Sequence, residues 1–123
     1  MVAKRVIHFE IQVEDFERAK DFYEKVFDWE INQAMEKENG GMDYWLLTTG
    51  PEGTPGINGG MYIRPKQNPL YTYDCTISVD DIDKAMQLIK DNGGKILREK
   101  VDMPEMRWFS RATDSEGNIF GLM

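Results

Sequence analysis

The segment VIHFEIQVED, residues 6–15, carries the residue types of this chain best suited to acid–base chemistry. Alternation along a β-strand places His8, Glu10 and Gln12 on one face and apolar residues on the other. His8 is the only histidine of the chain. An imidazole and a carboxylate two residues apart on one strand face can form an acid–base pair, which makes His8 and Glu10 candidate catalytic residues. The pairing is geometrically possible but not specific, and the alternatives are a hydrogen-bonding histidine and a polar strand face turned to solvent.

The strand pattern occurs a second time. HFEIQVEDFERAKDFYEKVFDWEI (8–31) aligns without a gap with DCTISVDDIDKAMQLIKDNGGKIL (74–97). The matches fall on apolar positions and also on the aspartates that precede each predicted helix, which favours an internal duplication over a chance amphipathic pattern. In the second copy, Asp74 and Thr76 take the places of His8 and Glu10.

Both copies predict the same order of elements. Asp15 and Asp81 are typical N-caps of the helices that follow them. Strand patterns then cover 29–35, 42–49 and 61–65 in the first copy, and 95–101, 106–113 and 119–123 in the second. The chain is therefore predicted to form a single domain, 1–123, of two βαβββ modules, about 1–65 and 71–123, joined by a linker at 66–70.

Composition excludes several classes of partner. The chain has 123 residues and a net charge of −7, so an anionic nucleic acid or membrane surface is not favoured as a partner. No apolar run is long enough to span a membrane. The single cysteine, Cys75, gives no disulfide framework and is predicted to be a core residue, and a cytoplasmic location is expected.

A duplicated βαβββ chain with HFEIQVEDFERAKDFYEKVFDWEI near its start and TDSEGNIFGLM at its end resembles the vicinal oxygen chelate superfamily. That superfamily includes glyoxalase I, bleomycin-resistance proteins and extradiol dioxygenases. The glycines at 59–60 are most similar to a lactoylglutathione-lyase-related branch. The resemblance implies an α+β fold in which each module is a curved mixed sheet with its helix outside, and the two modules together form a cleft lined by the polar strand faces.

The resemblance also implies where a metal ion would bind. In the resembling enzymes, the first and last strands of each module each supply one ligand. Those positions fall here on His8, Asp74, Met61 and Gly121. Because Gly121 has no side chain and a thioether is a poor ligand for hard divalent ions, no metal or other cofactor is expected, and His8 and Asp74 remain only weak metal candidates.

Two functions follow from the resemblance. The first is binding of a small organic molecule in the cleft, by a homodimer, as the resembling proteins commonly dimerise. The second is a metal-dependent lyase or isomerase of the glyoxalase I type with a reduced ligand set. The predicted ligand-contacting residues are His8, Glu10, Gln12, Trp45, Met61, Asp74, Thr76 and Gly121.

Overall fold

The computed structural model describes residues 3–37, 42–103 and 107–123. It divides into two compact units. The first unit is His8–Tyr73, and the second unit is Asp74–Met123 together with the residues before His8. The segment predicted as a linker, 66–70, therefore belongs to the first unit.

The first unit is a mixed four-stranded sheet with one helix. The sheet order is β2-β3-β4-β1, in which β1 and β4 are parallel and the other neighbours are antiparallel. Its elements are β1 (Val6–Val13, which belongs to this unit from His8 onward), α1 (Phe16–Phe27), β2 (Glu30–Met35), β3 (Tyr44–Thr48) and β4 (Gly59–Ile63).

The second unit repeats this arrangement. Its sheet order is β5-β8-β7-β6, and again the first and last strands of the module are parallel. Its elements are β5 (Asp74–Ile77), α2 (Ile82–Asp91), β6 (Lys95–Met103), β7 (Arg107–Thr113) and β8 (Ile119–Leu122). The predicted α+β class and the two βαβββ modules are confirmed, whereas the cleft between them stays a prediction. In the described ranges, neither helix has the length and apolar character needed to cross a membrane.

Both helices begin where the sequence predicts. The Asp15 carboxylate accepts a hydrogen bond from the backbone N–H of Arg18 at 3.1 Å, and Asp81 accepts one from Lys84 at 3.0 Å. Each cap satisfies one of the amides that the first helical turn leaves without a partner. The equivalent aspartates of the two modules thus fix equivalent helix starts.

The terminal DSEGN motif is a turn built around one carboxylate. Asp114 Oδ1 accepts from the backbone N–H groups of Glu116 and Asn118 at 2.8 and 2.9 Å, and Oδ2 accepts from Asn118 Nδ2 at 2.9 Å. These hydrogen bonds, with the Asn118 side chain foremost, lower the pKa of Asp114. The motif that carries part of the family resemblance therefore connects β7 to β8.

Each unit has its own apolar core. In the first unit α1 covers β1, and Phe16 stacks on Trp45 with ring centroids 3.9 Å apart. The predicted apolar face of β1 is confirmed, since Phe9 and Ile11 are buried in this core. The second core is mainly aliphatic and consists of Val79, Ile82, Met86 and Leu122.

One core assignment is wrong. Cys75 is exposed, although it lies on the same strand face as Ile77. The buried cluster of α2 centres on Val79 and Leu122, and Ile77 is the residue of β5 that packs against it. The helix therefore does not bury the Cys75 end of the strand.

Replacing Ile11 by alanine should lower the free energy of unfolding by about 2–5 kcal/mol, because a buried side chain leaves a cavity. Ile11 is 4% exposed, whereas Ile63, the matched control on neighbouring β4, is 45% exposed. We expect Ile63→Ala to cost less than about 1 kcal/mol. Equilibrium urea unfolding followed by tryptophan fluorescence measures both, and equal losses would contradict the burial of Ile11 in the core of the first unit.

Candidate functional site

The hydroxyl of Tyr44 connects the two predicted catalytic residues. It donates to Glu10 Oε2 at 2.7 Å and lies 2.9 Å from His8 Nε2. The direct separation of His8 Nε2 from Glu10 Oε2 is 3.8 Å. These three side chains, called here the first-unit network, form a chain of hydrogen bonds in which a phenol bridges the imidazole and the carboxylate.

Tyr44 reaches this position because its neighbouring strand carries a glycine. Gly60 of β4 pairs with Glu10 of β1 and is therefore next to the carboxylate. A Cβ atom added at Gly60 would overlap the hydroxyl and Cζ of Tyr44. The ring thus occupies the space that a side chain from the last strand of the module would fill.

The second unit has a glycine at the same place. Gly121 of β8 pairs with Thr76 of β5, the residue equivalent to Glu10. A Cβ atom at Gly121 would lie 2.9 Å from Thr76 Oγ1 and 3.1 Å from the ring of Phe109. A ring from the neighbouring strand again fills the space beside the glycine, but Phe109 has no hydroxyl to bond with.

The strand register corrects two predicted ligand contacts. Gly60, not Met61, is the first-unit counterpart of Gly121, because Met61 pairs with Ile11 on the apolar face. Met61 is fully buried, and Trp45 lies in the same cluster, stacked on Phe16. A shift of one residue in the strand pairing exchanges the two faces of a strand. The observed register therefore places Met61 and Trp45 in the core instead of on the polar face.

Gln12, the third polar residue of β1, is engaged within the first unit. Its Nε2 donates to Tyr62 Oη at 2.8 Å, and its Oε1 accepts from the backbone N–H of Leu70 at 2.7 Å. Its carbonyl oxygen accepts from Arg64 Nη2 at 2.8 Å. Gln12 therefore holds the segment after β4 against β1.

The polar residues of the second unit are arranged as an ion pair. Asp74, the counterpart of His8, is buried, and its Oδ2 lies 2.6 Å from Arg111 Nη2. Arg111 is the β7 residue that pairs with Gly121. Sequence reasoning missed both Arg111 and the role of Tyr44. The one feature of the sequence that could have indicated them is that each lies on the strand next to the last strand of its module, which carries Gly60 or Gly121.

The donor set does not fit the metal centre that the resemblance implies. Within the described ranges, no three His, Cys, Asp or Glu side chains come together in a group that could hold an ion. Gly60 and Gly121 supply no donor atoms, and Asp74 is paired with Arg111. In the first unit, Glu10 Oε2 is already the acceptor of the Tyr44 hydroxyl.

Comparison with known proteins supports the same family. The family model described as the Glyoxalase/Bleomycin resistance protein/Dioxygenase superfamily matches residues 5–122. The candidate glyoxylase CFP32 of Mycobacterium bovis is 26% identical over 113 residues, which cover 92% of this chain and 42% of that protein. The chain thus spans less than half the length of this curated relative.

Solved structures share the fold at low identity. The hypothetical protein BH1468 of Bacillus halodurans has a TM-score of 0.70 at 12% identity, covering 98% of this chain and 94% of that one. Methylmalonyl-CoA epimerase of Mycobacterium tuberculosis has a TM-score of 0.65 at 16% identity, with coverages of 99% and 91%.

Gly60→Ala should destabilise the protein by about 1–3 kcal/mol, because the new methyl group overlaps the Tyr44 ring. Gly50→Ala is the matched control, since its Cβ would meet Thr54 Oγ1 at an ordinary 3.6 Å. Adding Tyr44→Ala to Gly60→Ala should cost less than the sum of the two single losses. Chemical denaturation of the four variants measures this coupling, and strictly additive losses would show that the ring does not depend on the glycine.

Tyr44→Phe should cost about 1–3 kcal/mol, because buried Glu10 loses its hydrogen-bond donor. His8→Ala should stay within about 1 kcal/mol, since it removes little packing and leaves the Tyr44–Glu10 bond in place. Both are measured by urea unfolding. If His8→Ala proves as costly as Ile11→Ala, His8 is a structural residue and is not a candidate for binding.

Proposed function

Because this chain belongs to the glyoxalase/bleomycin resistance protein/dioxygenase superfamily, we propose that it binds a small organic molecule at the first-unit network without a metal ion. The observation that carries the proposal is the Tyr44 phenol, which lies beside Glu10 at Gly60, the first-unit counterpart of the Gly121 position where the resemblance implies a metal ligand. The site then binds its ligand through hydrogen bonds instead of through a metal ion.

The chemistry of the donors favours this proposal over a metal-dependent lyase. A catalytic ion is ordinarily held by three protein ligands, with an open position for water or substrate. In the first-unit network, His8 and Glu10 are the side chains of the right type, and both contact the Tyr44 hydroxyl. An ion taking up these atoms would have to break both hydrogen bonds of the phenol.

The first-unit network also favours a second candidate function, proton transfer without a metal ion. His8 keeps 13% of its side chain exposed, whereas the Glu10 side chain keeps 6%, and Tyr44 is buried. A bound molecule would therefore meet the imidazole, while Tyr44 and Glu10 hold and polarise the ring from behind. In this case His8 is the catalytic residue, and Tyr44 and Glu10 are positioning residues.

Three finer expectations stay predictions. They are membership of the lactoylglutathione-lyase-related branch, assembly as a homodimer, and a cytoplasmic location. The methylmalonyl-CoA epimerases share the fold with this chain, and their substrate is not carried over at 16% identity.

The purified protein should hold far less than one equivalent of zinc, nickel, manganese or iron per chain after dialysis. Treatment with EDTA should leave the melting temperature unchanged, because no metal-binding energy then stabilises the folded state. Elemental analysis and thermal unfolding with and without chelator are the measurements. A stoichiometric metal whose removal lowers the melting temperature would refute the metal-free site and support the lyase.

A further inference from the structure

The hydrogen bonds of the first-unit network have a fixed direction. A phenol has one proton, and that of Tyr44 is donated to Glu10 Oε2 at 2.7 Å. The Tyr44 oxygen therefore meets His8 Nε2, 2.9 Å away, as an acceptor. An acceptor at that place requires a hydrogen on Nε2, so the neutral His8 ring is the Nε2–H tautomer and its Nδ1 carries a lone pair.

The ring nitrogen that carries the lone pair, Nδ1, belongs to His8, the most accessible residue of the first-unit network. Within the ranges described, the hydrogen bond of the His8 ring is made by Nε2, and Nδ1 makes none. Glu10 and Tyr44 are too deeply buried to meet a ligand directly. Of the three side chains, the His8 ring is therefore the one most open to a molecule that reaches the first-unit network.

The charged groups around His8 disfavour an anionic ligand. The carboxylate of Glu10 lies 3.8 Å from the imidazole. The guanidinium of Arg64 is already engaged, with Nη1 at 3.0 Å from Glu14 Oε1 and Nε donating to the carbonyl of Leu70 at 3.0 Å. An anionic ligand would thus be repelled by Glu10 and would compete with existing partners for Arg64.

We infer that the ligand presents a hydrogen-bond donor, a hydroxyl or an ammonium group, to Nδ1 of His8, whose orientation Tyr44 and Glu10 fix from behind. This inference rests on the proposed function, because it names the chemical class of the molecule bound at that network. Carboxylates and phosphates are disfavoured by the same geometry, since a neutral Nδ1 can accept a hydrogen bond but cannot donate one.

The tautomer can be measured without any ligand. His8 is the only histidine, so a ¹H–¹⁵N spectrum of the labelled protein gives its two ring nitrogens without ambiguity. At the alkaline end of a pH series, Nε2 should be the protonated nitrogen. Tyr44→Phe should mix the two tautomers, while the matched control Tyr62→Phe, whose hydroxyl accepts from Gln12, should change nothing. A protonated Nδ1 in the wild-type neutral ring overturns the inference.

The ligand class is tested with three probes that share one ring: benzylamine, benzyl alcohol and benzoate. Each is titrated at a pH at which the ring spectrum shows a neutral His8 and the benzylamine nitrogen is still protonated, while the His8 ring signals are followed. The two donors should shift Nδ1 and bind about tenfold more tightly than benzoate, the difference expected for roughly one hydrogen bond. The His8→Ala variant should abolish that preference.

Two outcomes would overturn the inference that the ligand is a hydrogen-bond donor. Neither outcome bears on whether the site is free of metal, which is tested separately. One is a preference for benzoate, which would indicate a protonated imidazole acting as a donor. The other is the absence of any His8 shift with all three probes. Failure of the proposed function is distinguishable from both, because it is read from metal content and the response to chelator.

Discussion

The polar face of the first unit depends on the close approach of the Tyr44 ring to the backbone at Gly60. A side chain at Gly60 would take the space of the hydroxyl, and Glu10 would lose the donor that makes its burial tolerable. A buried carboxylate without a hydrogen-bond donor is costly, because desolvation is then not compensated. The glycine, the ring and the carboxylate therefore act as one constraint, and His8 joins them through the same phenol oxygen.

The second unit keeps this constraint and changes its chemistry. Gly121 again admits a ring, but Phe109 has no hydroxyl and Thr76 replaces the carboxylate. The charged residue of β5 is Asp74, and Arg111 on β7 neutralises it directly. One scaffold therefore carries a directional chain of hydrogen bonds in one copy and a closed ion pair in the other. This difference places the accessible acid–base group in the first unit.

The cores differ as well. In the first unit, aromatic side chains dominate, with Phe16 stacked on Trp45 and Tyr23 stacked on Trp29. Stacked rings bury large areas and fix the position of α1 over β1 and β3. Trp45 and Met61, which the sequence suggested as ligand contacts, serve this packing. The predicted set of ligand contacts is consequently smaller, because Trp45 and Met61 lie on the other side of the sheet.

Local patterns in the sequence determined the elements, the helix caps and the two faces of β1. Alternation and capping involve residues a few positions apart, so the chain alone placed Ile11 on the apolar face of β1 and predicted Asp15 and Asp81 as helix caps. The pairing of β4 with β1 follows a long loop, and only the tertiary structure decided that Gly60, and not Met61, lies beside Glu10. The same holds for Tyr44 and Arg111, because each acts on a residue of another strand that is distant in sequence. The register between neighbouring strands is set by packing, and a shift of one residue exchanges the two faces of a strand. A local sequence pattern does not determine that register.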